Sequence, residues 1–163
     1  VNRIDDFAYM PQQNIAHAMT TLMAQNKGAK KTDRIKAAFR CGMKIELFYG
    51  IFIFFVCFFL AHPLMQLFSN DPVVCKHGVT YLKLISLMYL FPAVTNGVQG
   101  YFRGIGDLKI TLISSFVNMS VRVIFAAVLV FHFSLQIEAL PFSYLAGWIG
   151  MLLAEVPLLL RKF

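Results

Sequence analysis

The residues best placed for chemistry are polar side chains set inside long apolar runs. They are Asp6, Gln13 and His17 in the first run, Asn96 in the third, and Asn118 and Arg122 in the fourth. Each costs free energy in hydrocarbon, so each must face another helix or a wet cavity. At about 100° per residue, Asp6, Gln13, His17 and Thr20 fall within about 40° of one line, with Asn14 and Thr21 on its flanks. Thr111, Ser115, Asn118 and Arg122 share one face of the fourth run by the same arithmetic. Arg122 lies about 18 Å from Ile110 along a helix axis. At that depth an arginine costs roughly 2.5–3.5 kcal/mol, so it must be hydrated or paired. Gln13 and His17 come out level with it. Asp6 lies near the outer boundary and reaches it only if Pro11 bends the helix. Such stripes serve either as interhelical glue, worth about 0.6 kcal/mol per contact, or as a transport pathway.

No enzyme constellation accompanies these residues. The sequence has no phosphate-cradling loop, no paired metal ligands at helical spacing and no Ser–His–Asp set. Cys41, Cys57 and Cys75 form neither an even set nor a metal-ligand spacing. By the topology below they sit at the inner surface, mid-membrane and outer surface, too far apart to pair with one another.

The elements that must hold these residues are membrane helices. Hydrophobic residues make up 58% of the 163 positions and mean hydropathy is +0.66, above the roughly 45–50% apolar content of a soluble domain. Lipid must cover such a surface. The net charge of +7 sits in short gaps between apolar runs and not along one face, which argues against a nucleic-acid partner. Five windows of about 20 residues read as spans: 4–26, 45–67, 79–101, 110–133 and 140–160. The expected fold is therefore all-α, a polytopic transmembrane helix bundle. Pro92 and Pro157 fall inside the third and fifth spans, and Pro63, Asp71-Pro72 and Lys76 mark an outer loop over 62–77.

Orientation follows from the basic residues. Eleven of the fifteen lie in the first gap, the third gap and the C-terminus, while the opposite side has only Arg3, Lys76 and Lys83, and Arg122 is intramembrane. Basic loops stay cytoplasmic, so the chain is expected to start outside and end inside. Lys44, Glu46 and Glu155 are expected to snorkel or pair near the inner surface. Tyr144 and Trp148 suit an outer interfacial belt, and Gly97 and Gly100 suit close helix approach. The start on Val1 and the stop on Arg161-Lys162-Phe163, directly after an apolar run, read as a piece of a longer protein.

Three loop motifs complete the reading. Gln25-Asn26-Lys27-Gly28-Ala29 followed by Arg34 resembles the Gln-Asn-x-Gly-Ala…Arg loop after the second helix of a MATE lobe. Leu67-Phe68-Ser69-Asn70-Asp71-Pro72 resembles that lobe's outer Leu-Phe-x-x-Asp-Pro signature. Arg103-Gly104-Ile105-Gly106-Asp107 is similar to its Arg-Gly-x-Gly-Asp turn, and Asn118 sits where the next helix commonly has an asparagine. In order, these cover nearly the whole chain, which resembles the C-terminal lobe of a MATE (multidrug and toxic compound extrusion) transporter. The resemblance implies five of the six helices of that lobe, numbers eight to twelve of twelve, with helix seven and an N-terminal lobe as partners. It also implies export of organic cations and other drugs across the cytoplasmic membrane by alternating access, driven by inward H⁺ or Na⁺, with no other cofactor and no enzymatic step. One departure matters: members with a C-lobe cation site carry an acid on helix ten, and residues 79–101 contain no Asp or Glu. A Na⁺ site of that kind is therefore not expected, and Asp5, Asp6 or the N-terminal lobe is left to supply the acid. Two alternatives remain open. A flippase for lipid-linked saccharides of the same superfamily would use Arg122 on a pyrophosphate. A non-transporting membrane-anchor subunit would use none of these residues.

Overall fold

A computed structural model describes the backbone of residues 2–68, 71–133 and 139–161, and the side chains of 6–68, 71–131 and 141–161. The described residues form α1 (Asn2–Gly28), α2 (Thr32–Phe59), α3 (Ala61–Gln66), α4 (Pro72–Ser86), α5 (Leu90–Gly104), α6 (Leu108–Phe133) and α7 (Ala139–Leu160). The fold is an all-α bundle with several apolar spans. α2, α6 and α7 are each long and apolar enough to cross a membrane, and α4 with α5 qualifies as one bent span. The first run is a continuous helix through Pro11, but its polar stripe keeps α1 outside that set.

Two expected spans are broken, each by a proline. A proline inside a helix lacks the N–H for the carbonyl four residues back and its ring clashes there. Pro63 thus ends α2 at Phe59, and 61–66 continues as the separate α3. Pro92 does the same to the third expected span, which divides at 87–89 with a bend of 50°. Across that break the backbone makes tighter bonds, Tyr89 N–H to Ser86 O at 3.2 Å and Phe91 N–H to Met88 O at 3.0 Å.

The loop motifs are helix ends. Asp71 caps α4, its Oδ1 accepting from the Val73 N–H at 2.8 Å with Pro72 at the first helical position. The Arg103–Asp107 turn closes α5. The Asp107 N–H reaches Phe102 O at 2.9 Å and the Gly106 N–H reaches Arg103 O at 3.0 Å, with Gly106 at φ +76. That pairing requires a left-handed residue at its centre, which glycine supplies without strain.

One core cluster lies where α5 meets α1 and α2, and another joins α2, α3 and α4. A Cβ on Gly100 would come within 2.9 Å of Ala16 O, and one on Gly104 within 2.9 Å of Thr20 O. These glycines let two backbones touch, as lipid-embedded packing favours. The Thr20 hydroxyl completes the contact, donating to Ala16 O at 2.8 Å and Gly100 O at 3.2 Å. α6 packs along α7 and turns its apolar side outward, with Phe116 73% and Phe131 85% exposed.

Candidate functional site

The polar residues of α5 and α6 meet α7 across a cleft of about 440 Å³ lined by Tyr9, Asn96, Asn118, Arg122, Trp148 and Met151, among others. The Arg122 guanidinium lies over the Tyr144 ring, its Cζ 3.8 Å from the ring centre. Gly147 makes room for the arginine stem: a Cβ there would meet Arg122 Cγ and come within 2.8 Å of Cδ. Among the described residues no carboxylate forms an ion pair with Arg122, so an aromatic face stabilises its charge. Such contacts are worth about 0.5–2 kcal/mol, more where water is excluded. Asn118 Nδ2 donates to Met151 Sδ at 3.3 Å, which places the amide on the cleft floor.

A second cavity of about 510 Å³ adjoins the first, lined by Asp6, Phe7, Met10, Gln13, Ile85 and Tyr89. Tyr9, Tyr144 and Trp148 line both. Tyr9 stacks on Trp148 with centroids 6.5 Å apart, and Tyr144 tilts against Trp148 at 5.9 Å. An aromatic wall thus separates an acidic end at Asp6 from a basic end at Arg122.

The α1 stripe divides. Asp6 and Gln13 line the outer cavity, Thr20 bonds α5, and exposed His17 lines neither cavity. Asn96, Asn118 and Arg122 come together in the inner one. Tyr144 and Trp148 are not an interfacial belt: Trp148 is buried and both form the wall. Gln12, one position off the expected stripe, is fully buried and donates from Nε2 to Tyr89 O at 3.4 Å, beside the break between α4 and α5. Glu46 and Glu155 do not snorkel. Both are 0% exposed, and no carboxylate oxygen of either makes a close hydrogen bond. Glu46 lies on one α2 face with Gly42 and Gly50, which close on Met19 of α1 and Ala93 of α5. That four-residue spacing of small residues around an acid is the signal in the sequence that marks a buried position.

The inner loop motifs also converge. Gln25, Asn26, Gly28 and Ala29 form the end of α1, where the Ala29 N–H bonds Gln25 O at 3.0 Å and the Lys31 N–H bonds Asn26 O at 2.9 Å. Lys27 Nζ donates to Ile105 O, tying this end to the Gly104–Gly106–Asp107 turn. Arg34 is exposed at the start of α2. Arg103 turns inward, and its Nη2 donates to Gln99 Oε1.

Comparison with known proteins gives a consistent result. Residues 1–128 match the family model described as MatE. The chain is 26% identical over 150 residues to the probable multidrug resistance protein NorM of Thermotoga maritima, covering 91% of this chain and 31% of that protein. It is 25% identical over 151 residues to the probable multidrug resistance protein YoeA of Bacillus subtilis, covering 92% and 31%. A 25% identity over 114 residues relates it to the FAD transporter of Shewanella oneidensis, covering 68% and 25%. The chain therefore spans about a third of the length of the curated relatives it matches. Among solved structures, an inward-facing multidrug resistance MATE family transporter of the MOP superfamily superposes with a TM-score of 0.85 at 18% identity, covering 98% of this chain and 37% of that one. That is a shared fold. With the family model matching most of its length, the chain belongs to the MatE family of multi-pass membrane transporters.

Proposed function

We propose that this chain is part of the C-terminal lobe of a drug exporter, an antiporter that expels organic cations in exchange for inward H⁺ or Na⁺ by alternating access. It works in the cytoplasmic membrane with an N-terminal lobe of the same protein, its start outside and its end inside. The observation that carries this reading is the aromatic wall of Tyr9, Tyr144 and Trp148, open to Asp6 on one side and Arg122 on the other. An organic cation is stabilised on such faces by the ring quadrupole, and the Asp6 carboxylate adds charge attraction. Arg122 already covers Tyr144, so cargo and arginine compete for one ring. The names of the multidrug resistance relatives support the same class of cargo.

The test is dye export by the full-length protein in proteoliposomes. A fluorescent organic cation should leave only under an imposed H⁺ or Na⁺ gradient, and Trp148→Ala and Asp6→Asn should each weaken dye binding by about three- to tenfold. Gradient-independent retention of the dye by the wild type excludes the reading. Arg122 favours one second reading, export of an anionic cargo, since it is the cation lining the inner cavity, and one relative is named a FAD transporter. Competition between the dye and a flavin dinucleotide, and loss of flavin uptake in Arg122→Gln, separates the two.

A further inference from the structure

The polar residues do not end at the cleft floor. Met151 receives Asn118 Nδ2 from the cleft side, and Gln99 Nε2 points at the same sulfur from 4.0 Å. One turn further inward on α7 stands Glu155, fully buried, with no close hydrogen bond to either carboxylate oxygen. Two other helices face it: the Ser114 hydroxyl of α6 and the Gln99 side chain of α5 approach as hydrogen-bonding groups, and Arg103 of α5 acts as a charge. Both hydrogen-bonding groups are shared with other partners. The Ser114 hydroxyl donates to Thr111 O at 3.1 Å, and Gln99 Oε1 accepts the Arg103 guanidinium. Arg103 is the charge that acts on Glu155, yet Gln99 holds its hydrogen bond.

A carboxylate sealed this deeply by protein is too costly to stay charged and unbalanced, so it takes up a cation or an ion pair. The Arg103 charge acts on Glu155 while its hydrogen bond goes to Gln99. The surroundings suit a proton better than a metal ion. A metal ion needs a shell of several oxygens, whereas the Gln99 carbonyl is occupied and a guanidinium stands close by. A proton needs one carboxylate oxygen.

We propose that Glu155 is a proton-binding site of this lobe, placed between the Asn118–Arg122 cleft and the inner surface, and discharged when Arg103 moves from Gln99 onto the carboxylate. In that step the Glu155 O–H bond breaks and the proton passes to water at the inner side. The guanidinium then replaces it as the balancing charge, so no net charge is left buried. Glu155 is about 8 Å from the end of α7, a short way for water to enter. The inference rests on the H⁺-coupled form of the exporter reading and gives its proton an address.

The test uses the full-length protein in two independent measurements. Infrared difference spectra between alkaline and acid pH should show protonated carboxyl bands that shift in D₂O, one component of which is lost in Glu155→Gln but persists in Glu155→Asp and in Glu46→Gln. Export of the cationic dye driven by a pH gradient should fall about tenfold or more in Glu155→Gln, while dye binding at alkaline pH stays within about threefold of wild type. Arg103→Gln should keep the infrared band but slow pH-driven export. A carboxyl difference spectrum that Glu155→Gln leaves unchanged, or unchanged pH-driven export by that variant, overturns the proposal. Should Glu155→Gln not accumulate in the membrane, Glu155→Asp decides: a moved titration midpoint supports the site and an unmoved one removes it. A wild type that exports no dye yet loses its band in Glu155→Gln would sink the exporter reading alone.

Discussion

Arg122 sits over the face of Tyr144, guanidinium carbon to ring centre 3.8 Å, and α7 makes room for it at Gly147. Tyr144 is the platform. Gly147, three residues on and so on the same face, is the slot through which the arginine stem passes. Arg122 needs the absence of a side chain on α7 as much as it needs the ring.

The first prediction follows from that slot. Gly147→Ala puts a methyl group against Arg122 Cγ and Cδ, atoms near the root of the side chain that cannot swing away. The arginine must leave the ring. Gly147→Ala should therefore change cargo affinity in the same direction as Arg122→Gln, by about two- to tenfold, as measured by dye binding to the purified full-length protein. Wild-type affinity in Gly147→Ala removes the slot from the argument.

A double-mutant cycle tests the contact itself. Arg122→Gln and Tyr144→Leu, singly and together, should show a coupling of about 0.5–2 kcal/mol in thermal stability. Arg122→Lys keeps the charge but loses the flat face and should recover only part of it. Strict additivity would mean that the ring and the guanidinium do not stabilise one another.

Packing glycines and loop glycines should behave differently. Gly104→Val drives side-chain atoms into Thr20 O and Met23 Cβ, where α1 and α5 touch. It should cost about 1–3 kcal/mol and lower the melting temperature in detergent. Gly28 has nothing within 4 Å of a built Cβ, so Gly28→Ala should be neutral although it lies in the Gln-Asn-x-Gly-Ala motif.

Asp71 satisfies the first N–H groups of α4. Asp71→Ala should lower stability by about 1 kcal/mol, and Asp71→Asn should recover most of that loss. Equal melting curves for the two variants would show that the cap contributes nothing.

Topology is accessible by labelling. In a background without Cys41, Cys57 and Cys75, cysteines at Lys31 and Asp107 should react with impermeant thiol reagents only from the cytoplasmic side. A cysteine at Lys76 should react only from outside. The eleven-to-three division of basic residues predicts this, and outside labelling at Lys31 would invert the bundle.

Much of the molecule is a local property of the chain and so was legible in one dimension. Apolar runs of span length make membrane helices wherever they occur, because lipid offers the backbone no other partner. Asp71-Pro72 and Gly104-Ile105-Gly106 are helix ends for reasons contained within a few residues, the side-chain cap and the left-handed glycine. That Asn118 and Arg122 share one helix face follows from their spacing alone, whereas the arrival of Asn96 in the same cleft is a matter of packing. Tertiary packing decided the rest. Whether an acid near the inner surface snorkels or is sealed depends on which helices cover it, and α5 and α6 cover Glu155. Whether an aromatic residue sits at the lipid interface or in a cleft depends on its neighbours, and Trp148 finds Tyr9 from the far end of the sequence. The stripe on α1 shows the same division: a period of 3.6 names a face, but only the partners say where that face begins. Gln13 was on the expected line, yet Gln12 is the one enclosed, because Tyr89, 77 residues away, offers a carbonyl at the break that Pro92 imposes on its span.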